Sequence, residues 1–338
     1  RARAGDGASR AAAGMLAPSA EVDFDDAALL DLQRQSLALY PEFVRELEEH
    51  SGSGLEYRAD GTLVVALTRD DDEAVERVYR HQASLGLHVA RLDNAEVQRL
   101  EPGLSRVYSA VLCAGDHQVN NSHIVDALLT AFFKEGGTLS EGAEVVSVHL
   151  ERGRARGVTL ANGTLIRASN VLIAAGAWSP GIENVPELTR HAVRPVRGQM
   201  IALDAGTPAL LTHVVRGPDA YLVPKNDGSL IVGSTMEERG FEAKLTAGGV
   251  HDLLRGALRI LPALYEQPVR DMWTGFRPVS RDSRPLLGPS VVNGLWLATG
   301  HARHGILLAP ITAQIMAEMI HTGRVPAFCQ PFSPARML

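Results

Sequence analysis

Several features that define common classes of protein are scarce or absent in this sequence. It has two cysteines, Cys113 and Cys329, which lie far apart and in no metal-ligand spacing, so we expect neither a disulfide framework nor a cysteine zinc site. No apolar run approaches the roughly 20 residues of a membrane span, and no signal peptide is visible. A reduced, cytoplasmic setting is therefore the prediction.

Positive charge is also in short supply. The 33 lysines and arginines are outnumbered by 39 aspartates and glutamates, which gives a formal net charge of −6, and no basic block stands out. A nucleic-acid partner is therefore not expected. The composition, 45% hydrophobic and 21% charged, is that of a soluble globular protein, and 338 residues suffice for two domains or one large one. The oligomeric state is open, with a homo-oligomer among the alternatives.

A complete glycine-rich dinucleotide-binding turn is the last notable absence. Such a unit opens with a strand, a Gly-x-Gly-x-x-Gly turn and a helix. The Gly5-x-Gly7 pair is followed by Arg10 where the third glycine is required, and the Gly52-x-Gly54 pair is followed by Tyr57. Neither stretch completes the pattern.

The most informative stretch that is present lies near the C-terminus. Residues 295–298 form an apolar run of strand length, Gly300 and Gly305 bracket a polar turn, and apolar residues then recur at helical spacing as far as Ile320. Pro310 fits in a first helical turn, and Gly323 is a plausible stop. The pattern predicts a strand, a glycine-rich turn and a helix whose N-terminus offers an anion site.

Other patterns predict the remaining elements. Residues 27–50 have helical apolar spacing, and Pro41 should kink or divide that helix. Asn121 or Ser122 should cap a second helix. Further predicted helices lie at 70–85, 94–100 and 246–261, and predicted strands at 61–67, 143–150, 154–160, 163–167 (after an Asn162-Gly163 turn), 171–175, 199–203, 221–224, 230–233 and 269–276.

Five further stretches and the C-terminal unit occur in an order that resembles the FAD-dependent D-amino-acid oxidase superfamily. Within it, the sequence is most similar to glycine oxidases of the thiamine-biosynthesis type. The resemblance covers nearly the whole chain, and no single stretch would be specific by itself. The five stretches are 11–16, 170–179, 217–224, 232–236 and 273–278.

The resemblance implies an α/β fold with two interleaved domains. A Rossmann-like FAD-binding domain would comprise residues 1–54, 108–190 and 286–338. A mixed-sheet, α+β substrate-binding domain would comprise residues 55–107 and 191–285. By comparison with the family, about one βαβ unit of roughly 30 residues is missing, so the chain looks N-terminally truncated and its ability to bind FAD is open.

Two residues are candidates for holding the substrate. Arg277 ends a strand-like segment before Pro278, and its planar guanidinium suits a carboxylate. In the family the matching arginine holds the substrate's α-carboxylate; the alternative is a surface arginine paired with Asp271 or Asp282. Tyr221 would hydrogen-bond the same carboxylate and wall the pocket, or would be a packed strand residue with its hydroxyl in solvent.

The resemblance also implies a set of residues that contact the cofactor. Small residues near position 13 would let backbone approach a planar ring, although an alanine-rich helix start is the alternative. Amides near 303, assisted by a cation, would suit the negative charge of a reduced flavin. Met15 and Met236 would line the pocket or be ordinary core fillers. The cofactor set is Ala13, Gly14, Met15, Val145, Gly176, His301, Ala302, Arg303, His304, Gly305, Ile306 and Leu307; Arg303 and Met236 join Arg277 and Tyr221 in the substrate set.

No metal is predicted. His301 and His304 have the spacing of half a site, but no third ligand accompanies them. The acidic run at 70–73 suits a solvated helix N-terminus better than a metal.

The implied reaction is the oxidation of glycine or another small amino acid or amine. A hydride would pass from the substrate's Cα to the flavin, the imine would hydrolyse to a keto acid and ammonia, and dioxygen would be reduced to hydrogen peroxide. This chemistry requires positioning and an electron sink more than a protein base, so no base is assigned. Two alternatives remain: a D-amino-acid dehydrogenase that uses a quinone or another acceptor, and an inactive cofactor-free fragment.

Overall fold

The computed structural model describes residues 3–24 and 26–337, apart from the side chains at 188 and 189. Within those residues, none of the helices combines the length and the apolar character that crossing a bilayer requires. Eight α-helices lie in this part of the chain. They are α1 (Ala8–Ala11), α2 (Ala27–Ser51), α3 (Arg69–Ser84), α4 (Asn94–Leu100), α5 (Asn121–Lys134), α6 (Glu187–Arg190), α7 (Ala247–Ile260) and α8 (Ala309–Thr322).

The strands of the described residues form four sheets. In chain order they are β1 (Met15–Leu16), β2 (Thr62–Ala66), β3 (Val89–Leu92), β4 (Ser109–Cys113), β5 (His117–Gln118), β6 (Val145–Glu151), β7 (Arg154–Leu160), β8 (Leu165–Arg167), β9 (Val171–Ile173), β10 (Val193–Asp204), β11 (Val214–Arg216), β12 (Tyr221–Pro224), β13 (Ser229–Gly233), β14 (Val269–Ser280), β15 (Leu286–Pro289) and β16 (Leu295–Thr299).

The largest sheet is mixed and has the strand order β14-β10-β13-β12-β11-β2-β4-β3. β11 and β2 run parallel, whereas the other neighbours are antiparallel. One face packs on α7, where Leu253, Ala257 and Ile260 meet buried strand residues such as Leu222 and Leu63. The sheet combines strands from 55–107 and 191–285 with β4, which lies just past the predicted boundary at 107. The division into two domains stays a prediction.

The C-terminal strand-turn-helix unit is as the sequence predicts. β16 pairs in parallel with β9 and antiparallel with β15, and α8 carries Pro310 in its first turn and ends at Gly323, which has φ 71°. Only glycine adopts that left-handed conformation without strain. The buried side of α8, including Ile315 and Met319, packs against Leu32 of α2. The expectation that a βαβ unit is missing from the chain stays a prediction.

Two local predictions about helices are wrong, namely the division of α2 at Pro41 and the residue that caps α5; the alternative of a kink at Pro41 stays a prediction. α2 runs unbroken from residue 27 to residue 51 with Pro41 inside it, so the proline does not divide the helix. Its buried stripe, which includes Tyr40 and Val44, continues across the proline and supplies packing that outweighs the lost backbone hydrogen bond. The cap of α5 is Asn120, whose side chain accepts from the Ser122 and His123 amides, and neither Asn121 nor Ser122 takes that place.

The hairpin prediction at Asn162-Gly163 is confirmed. β7 and β8 pair antiparallel across this turn, and the Leu160 amide donates to the Thr164 carbonyl at 2.9 Å. β6 completes a three-stranded meander. The acidic N-terminus of α3 is capped by Thr68, and no metal-binding cluster of His, Cys, Asp or Glu occurs among the described residues.

The continuous helix makes Pro41 a testable position. Because Pro41 is exposed and lacks an N–H, Pro41→Ala should restore one helical hydrogen bond and raise the free energy of unfolding by roughly 1–2 kcal/mol. Urea unfolding followed by circular dichroism measures this, with Arg34→Ala, at an exposed position of the same helix, as the control. Destabilisation by Pro41→Ala would show that the proline ring itself makes stabilising contacts.

Candidate active site

A cavity of about 810 Å³ opens at one end of the eight-stranded sheet. Its walls come from the segment around β1, the turn after β9, strands β10 to β14 and the loop between β16 and α8. This volume lies in the range of ligand and cofactor pockets. The predicted site residues that line it are Ala13, Gly14, Met15, Gly176, Tyr221, Met236, Arg277, His301, Ala302, Arg303, His304, Gly305 and Ile306.

Val145 and Leu307, which were also predicted to contact the cofactor, do not line this cavity. Val145 begins β6 in the separate three-stranded meander. Leu307 is buried in a core cluster with Tyr40 and Leu16. The role predicted for these two residues therefore has no support from the cavity.

Arg277 enters the cavity from β14 without an acidic partner. Its Nη1 donates to the Thr235 carbonyl at 3.1 Å, and its Nη2 donates to the Ser234 hydroxyl. Among the described residues no carboxylate lies within 4.0 Å of its guanidinium. The alternative pairing with Asp282 is wrong, because that carboxylate binds Arg336 at 2.7 Å. Arg277 is thus oriented by neutral groups, and its charge is uncompensated.

A glycine on the neighbouring strand makes room for this guanidinium. Gly198 lies on β10, which pairs with β14 along its length. A Cβ added to Gly198 would lie 2.5 Å from Nη1 of Arg277, closer than unbonded atoms approach. Any side chain at this position would therefore move the guanidinium.

Tyr221 reaches the same cavity from β12. Its hydroxyl donates to the Met200 sulfur at 3.5 Å, so the alternative with the hydroxyl in solvent is wrong. Burial raises the pKa of this phenol, and the nearby Ser234 hydroxyl and Arg277 charge only partly oppose the rise. Tyr221 is therefore a neutral hydrogen-bond donor at neutral pH.

The loop that follows β16 is tied to both neighbouring units. The Ala302 amide donates to the Pro278 carbonyl at 2.9 Å, which joins the loop to the strand of Arg277. From α2, the Ser36 and Tyr40 hydroxyls donate to the Leu307 and Ile306 carbonyls at 2.6 and 2.5 Å. The loop is therefore rigidly placed.

Several amides of this loop have no acceptor among the described residues. Within the described residues, no hydrogen bond is made by the backbone N–H of Arg303, Gly305 or Ile306. All three residues line the cavity. Unpartnered amides in a pocket wall are suited to an electronegative edge of a ligand.

The two loop histidines are neutral and bind no metal in this arrangement. Burial lowers the pKa of His301 and of His304 to about 4. His301 contacts the Thr312 hydroxyl at 3.1 Å, and His304 lies 3.7 Å from the Glu21 carboxylate. Among the described residues, no third metal ligand accompanies the pair.

An ion pair that the sequence analysis missed also lines the cavity. The Glu21 side chain is 8% exposed and contacts Arg216 of β11 at 2.5 Å and Arg303 at 3.9 Å. Burial opposes ionisation of Glu21, but the arginine charges outweigh it, so its pKa is lowered. Nothing local in the sequence indicates this pair, since its members are 195 residues apart.

The cavity mouth is apolar. The Trp178 ring stacks on Phe241 with centroids 5.0 Å apart, and Phe276 meets both rings edge-on. Met236, another lining residue, is 70% exposed. The interpretation of Met236 as a core filler is therefore wrong.

Two walls of the cavity consist of small residues. Residues 11–14 and 174–177 contribute alanine and glycine only, so a flat ring system has room to lie against backbone. Opposite them the loop with unpartnered amides offers donors. These features fit the ring end of a flavin.

Comparisons with known proteins agree with this site. A family model described as FAD dependent oxidoreductase matches residues 1–319. The bifunctional protein ThiO/ThiG of Trichormus variabilis is 37% identical over 318 residues, which is 93% of this chain and 47% of that protein. The chain thus spans about half the length of this relative.

Two further relatives match over most of their own length. The hydrogen cyanide synthase subunit HcnC of Pseudomonas aeruginosa is 34% identical over 311 residues, covering 91% of this chain and 74% of that protein. The glycine oxidase of Geobacillus kaustophilus is 32% identical over 336 residues, covering 98% and 88%. Its crystal structure superposes with a TM-score of 0.89, covering 98% of this chain and 89% of that chain.

The fold, the cavity and these matches define a flavin-dependent oxidoreductase. The chain belongs to the FAD-dependent oxidoreductase family of D-amino-acid oxidase type. Within that family it is similar to glycine oxidase and to the ThiO part of ThiO/ThiG.

The buried Glu21 pair generates a prediction about stability. Because its folded-state pKa lies below the ordinary 4.5, the carboxylate contributes stability above that pH, which is lost as the pH falls through the folded pKa. Glu21→Gln should lower the free energy of unfolding at pH 7 by roughly 1–3 kcal/mol. The difference in the free energy of unfolding between Glu21→Gln and the parent protein should become smaller below about pH 4.5.

Chemical unfolding at several pH values measures this difference. Asp23→Asn is the matched control, because Asp23 also lies near Arg303, at 3.8 Å, but is exposed. This change should alter the free energy of unfolding by less than about 0.5 kcal/mol. Equal effects of the two variants would contradict the role given to Glu21.

Proposed function

We propose that this protein oxidises glycine or another small amino acid or amine, using FAD and dioxygen, to a keto acid, ammonia and hydrogen peroxide. The observation that carries the proposal is the uncompensated Arg277 guanidinium, held in one cavity with Tyr221 and the unpartnered amides of the 303–306 loop. Similarity to glycine oxidase and ThiO supports glycine as the substrate and thiamine biosynthesis as the setting.

Arg277 binds the α-carboxylate of the substrate. Its two terminal nitrogens are held by Ser234 and Thr235, and the remaining N–H groups form the fork that a carboxylate accepts. The neutral Tyr221 hydroxyl donates to the same carboxylate. These contacts hold the substrate's Cα in one position, which lowers the entropy cost of reaching a reactive geometry.

The cofactor wall is formed by the small residues near 13 and 176 and by the loop at 301–306. FAD, when bound, would supply the acceptor for the hydride (one proton and two electrons) that leaves the substrate's Cα. The amides of Arg303, Gly305 and Ile306, with the Arg303 charge beside them, would stabilise negative charge on that acceptor.

Among the described residues, the buried ionisable groups of the cavity are poorly suited to remove a proton from the substrate amine. His301 and His304 bind protons only well below neutral pH. Glu21 is occupied by Arg216. The substrate therefore reacts as the neutral amine after losing its proton to solvent.

The apolar part of the cavity favours a small substrate. Trp178, Phe276 and Met236 line it and offer no charged partner for a polar side chain. The second candidate is a D-amino-acid dehydrogenase that passes electrons to a quinone or another acceptor.

A visible spectrum and a peroxide assay test the proposal. The purified chain should show a flavin absorption band and release hydrogen peroxide with glycine, sarcosine or D-alanine. Turnover with an artificial electron acceptor but without peroxide would support the dehydrogenase. A protein that holds no flavin after incubation with FAD would overturn the proposal.

Replacing Arg277 tests the carboxylate site. Arg277→Ala should raise KM for glycine roughly 100-fold, because a charge-assisted, two-pronged contact is lost. Arg277→Lys should lose less, since it keeps the charge but not the fork. Arg270→Ala, an exposed arginine on the same strand, is the control. Unchanged kinetics in Arg277→Ala would remove this residue from the substrate site.

Gly198 offers a gentler test of the same site. Gly198→Ala should displace the Arg277 guanidinium and raise KM roughly tenfold, because the added carbon occupies its place. Stability should fall by less than about 1 kcal/mol, since the displaced group is the flexible end of a side chain. Gly54→Ala, which meets no atom within 4 Å, is the control. A normal KM in Gly198→Ala would place the carboxylate elsewhere.

A further inference from the structure

Lys225 is a buried amine that the proposed reaction does not use. It directly follows β12, is 7% exposed, and does not line the cavity. Its Nζ donates to the Ala13 carbonyl at 2.7 Å and to the Val119 carbonyl at 2.8 Å. Within the described residues, no carboxylate lies within 4.0 Å of it. Its polar contacts are therefore made to main chain.

The Ala13 carbonyl belongs to a segment that lines the cavity, and the Val119 carbonyl belongs to the segment bonded to it. Ala13 and Gly14 line the cavity, and the Val119 amide donates to the Gly14 carbonyl at 2.9 Å. A Cβ on Gly14 would lie 2.1 Å from the Val119 oxygen, so only glycine permits this approach. The Lys225 amine also lies at this junction, 3.1 Å from the position that a Cβ on Gly14 would occupy.

The strand before Lys225 carries the substrate wall. Tyr221 begins β12, and its ring packs in one cluster with Ala13 and Met15. The segment from Tyr221 to Lys225 therefore begins with the proposed substrate contact. It ends with a lysine side chain that binds main-chain carbonyls of two other segments. A displacement of Ala13 would alter the spacing between the cofactor wall and Tyr221.

We propose that Lys225 is a positioning residue, which fixes the Ala13–Gly14 wall against the strand of Tyr221 and so sets the gap between cofactor and substrate. The catalytic part of this inference rests on the proposed function, whereas the tether itself does not. An uncharged amine can form both hydrogen bonds, because it has two N–H groups and two carbonyls accept them.

The electrostatics around Lys225 agree with this geometry. Burial lowers the pKa of Lys225 from 10.5 to about 7; Glu56 and Asp227 oppose this shift, and Arg58 adds to it. Since the unfolded chain keeps the proton up to about pH 10.5, the tether gains stability as the pH rises from 7 towards 10.5. An exposed lysine would show no such dependence.

Hydrogen–deuterium exchange of Lys225→Met tests the tether without any cofactor. Methionine keeps the length and apolar stem but cannot donate, so amides of residues 11–16 and 117–119 should exchange at least about tenfold faster. Lys244→Met makes the same chemical change at a side chain that is 79% exposed, and should leave these amides unchanged. Equal exchange in both variants would overturn the proposal.

A measurement on the parent protein covers the case in which Lys225→Met does not fold. The sequence has three lysines, Lys134, Lys225 and Lys244. After labelling with [ε-¹³C]lysine, one resonance should titrate near pH 7, and the same lysine should resist the chemical methylation that modifies the other two. Three ordinary, reactive lysines would contradict the tether.

The effect of Lys225 on FAD binding is measured by flavin spectra rather than by activity. In protein that holds FAD, Lys225→Met should weaken FAD binding roughly tenfold and change the visible band shape, and Lys244→Met should do neither. An unchanged FAD affinity and spectrum would reject the positioning role. If the parent chain holds no FAD, the proposed function fails, and the exchange and titration results still decide the tether.

Discussion

The site depends on one main-chain hydrogen bond, from the Ala302 amide to the Pro278 carbonyl. It joins the loop between β16 and α8 to β14, the strand that carries Arg277. Proline at 278 has no N–H but keeps its carbonyl, and its ring holds the preceding arginine extended. The contact therefore fixes the carboxylate-binding group and the amide-bearing loop relative to each other, although they come from different sheets.

Charge is distributed unevenly around this junction. Arg216 and Arg303 share Glu21, whereas Arg277 is held by a hydroxyl and a carbonyl. A partly buried guanidinium without an acidic partner is suited to an anionic ligand. The contrast between the paired arginines and the unpaired Arg277 is the reason for proposing Arg277, rather than Arg216 or Arg303, as the carboxylate site.

How much the sequence predicts depends on how local the determining contacts are. The C-terminal strand, turn and helix follow from Gly300, Pro310 and Gly323, because these residues act within a few positions of themselves. The continuous α2 helix does not, since the packing of Tyr40 that carries the helix past Pro41 involves a distant loop carbonyl. Tertiary burial overrides the local signal there.

The same rule explains the site. The order of motifs was sufficient to predict Arg277, Tyr221 and the loop around Arg303, and all of them line one cavity. Glu21 was missed because its arginine partner is 195 residues away. Lys225 was missed because its acceptors are main-chain atoms, 212 and 106 residues away, which carry no side-chain signature.

Glycines and buried polar groups act together in this cavity. Gly198 leaves the space that Arg277 fills, and Gly14 leaves the space in which Val119 and Lys225 meet the cofactor wall. In both places a missing side chain allows close approach, and a polar group then fixes the distance by hydrogen bonds. Without the polar groups, the walls made of small residues would not be held at fixed distances. Without the glycines, the polar groups could not come close enough to those walls. Their combination holds the cavity walls at fixed distances, which the proposed oxidation at a substrate's Cα would require.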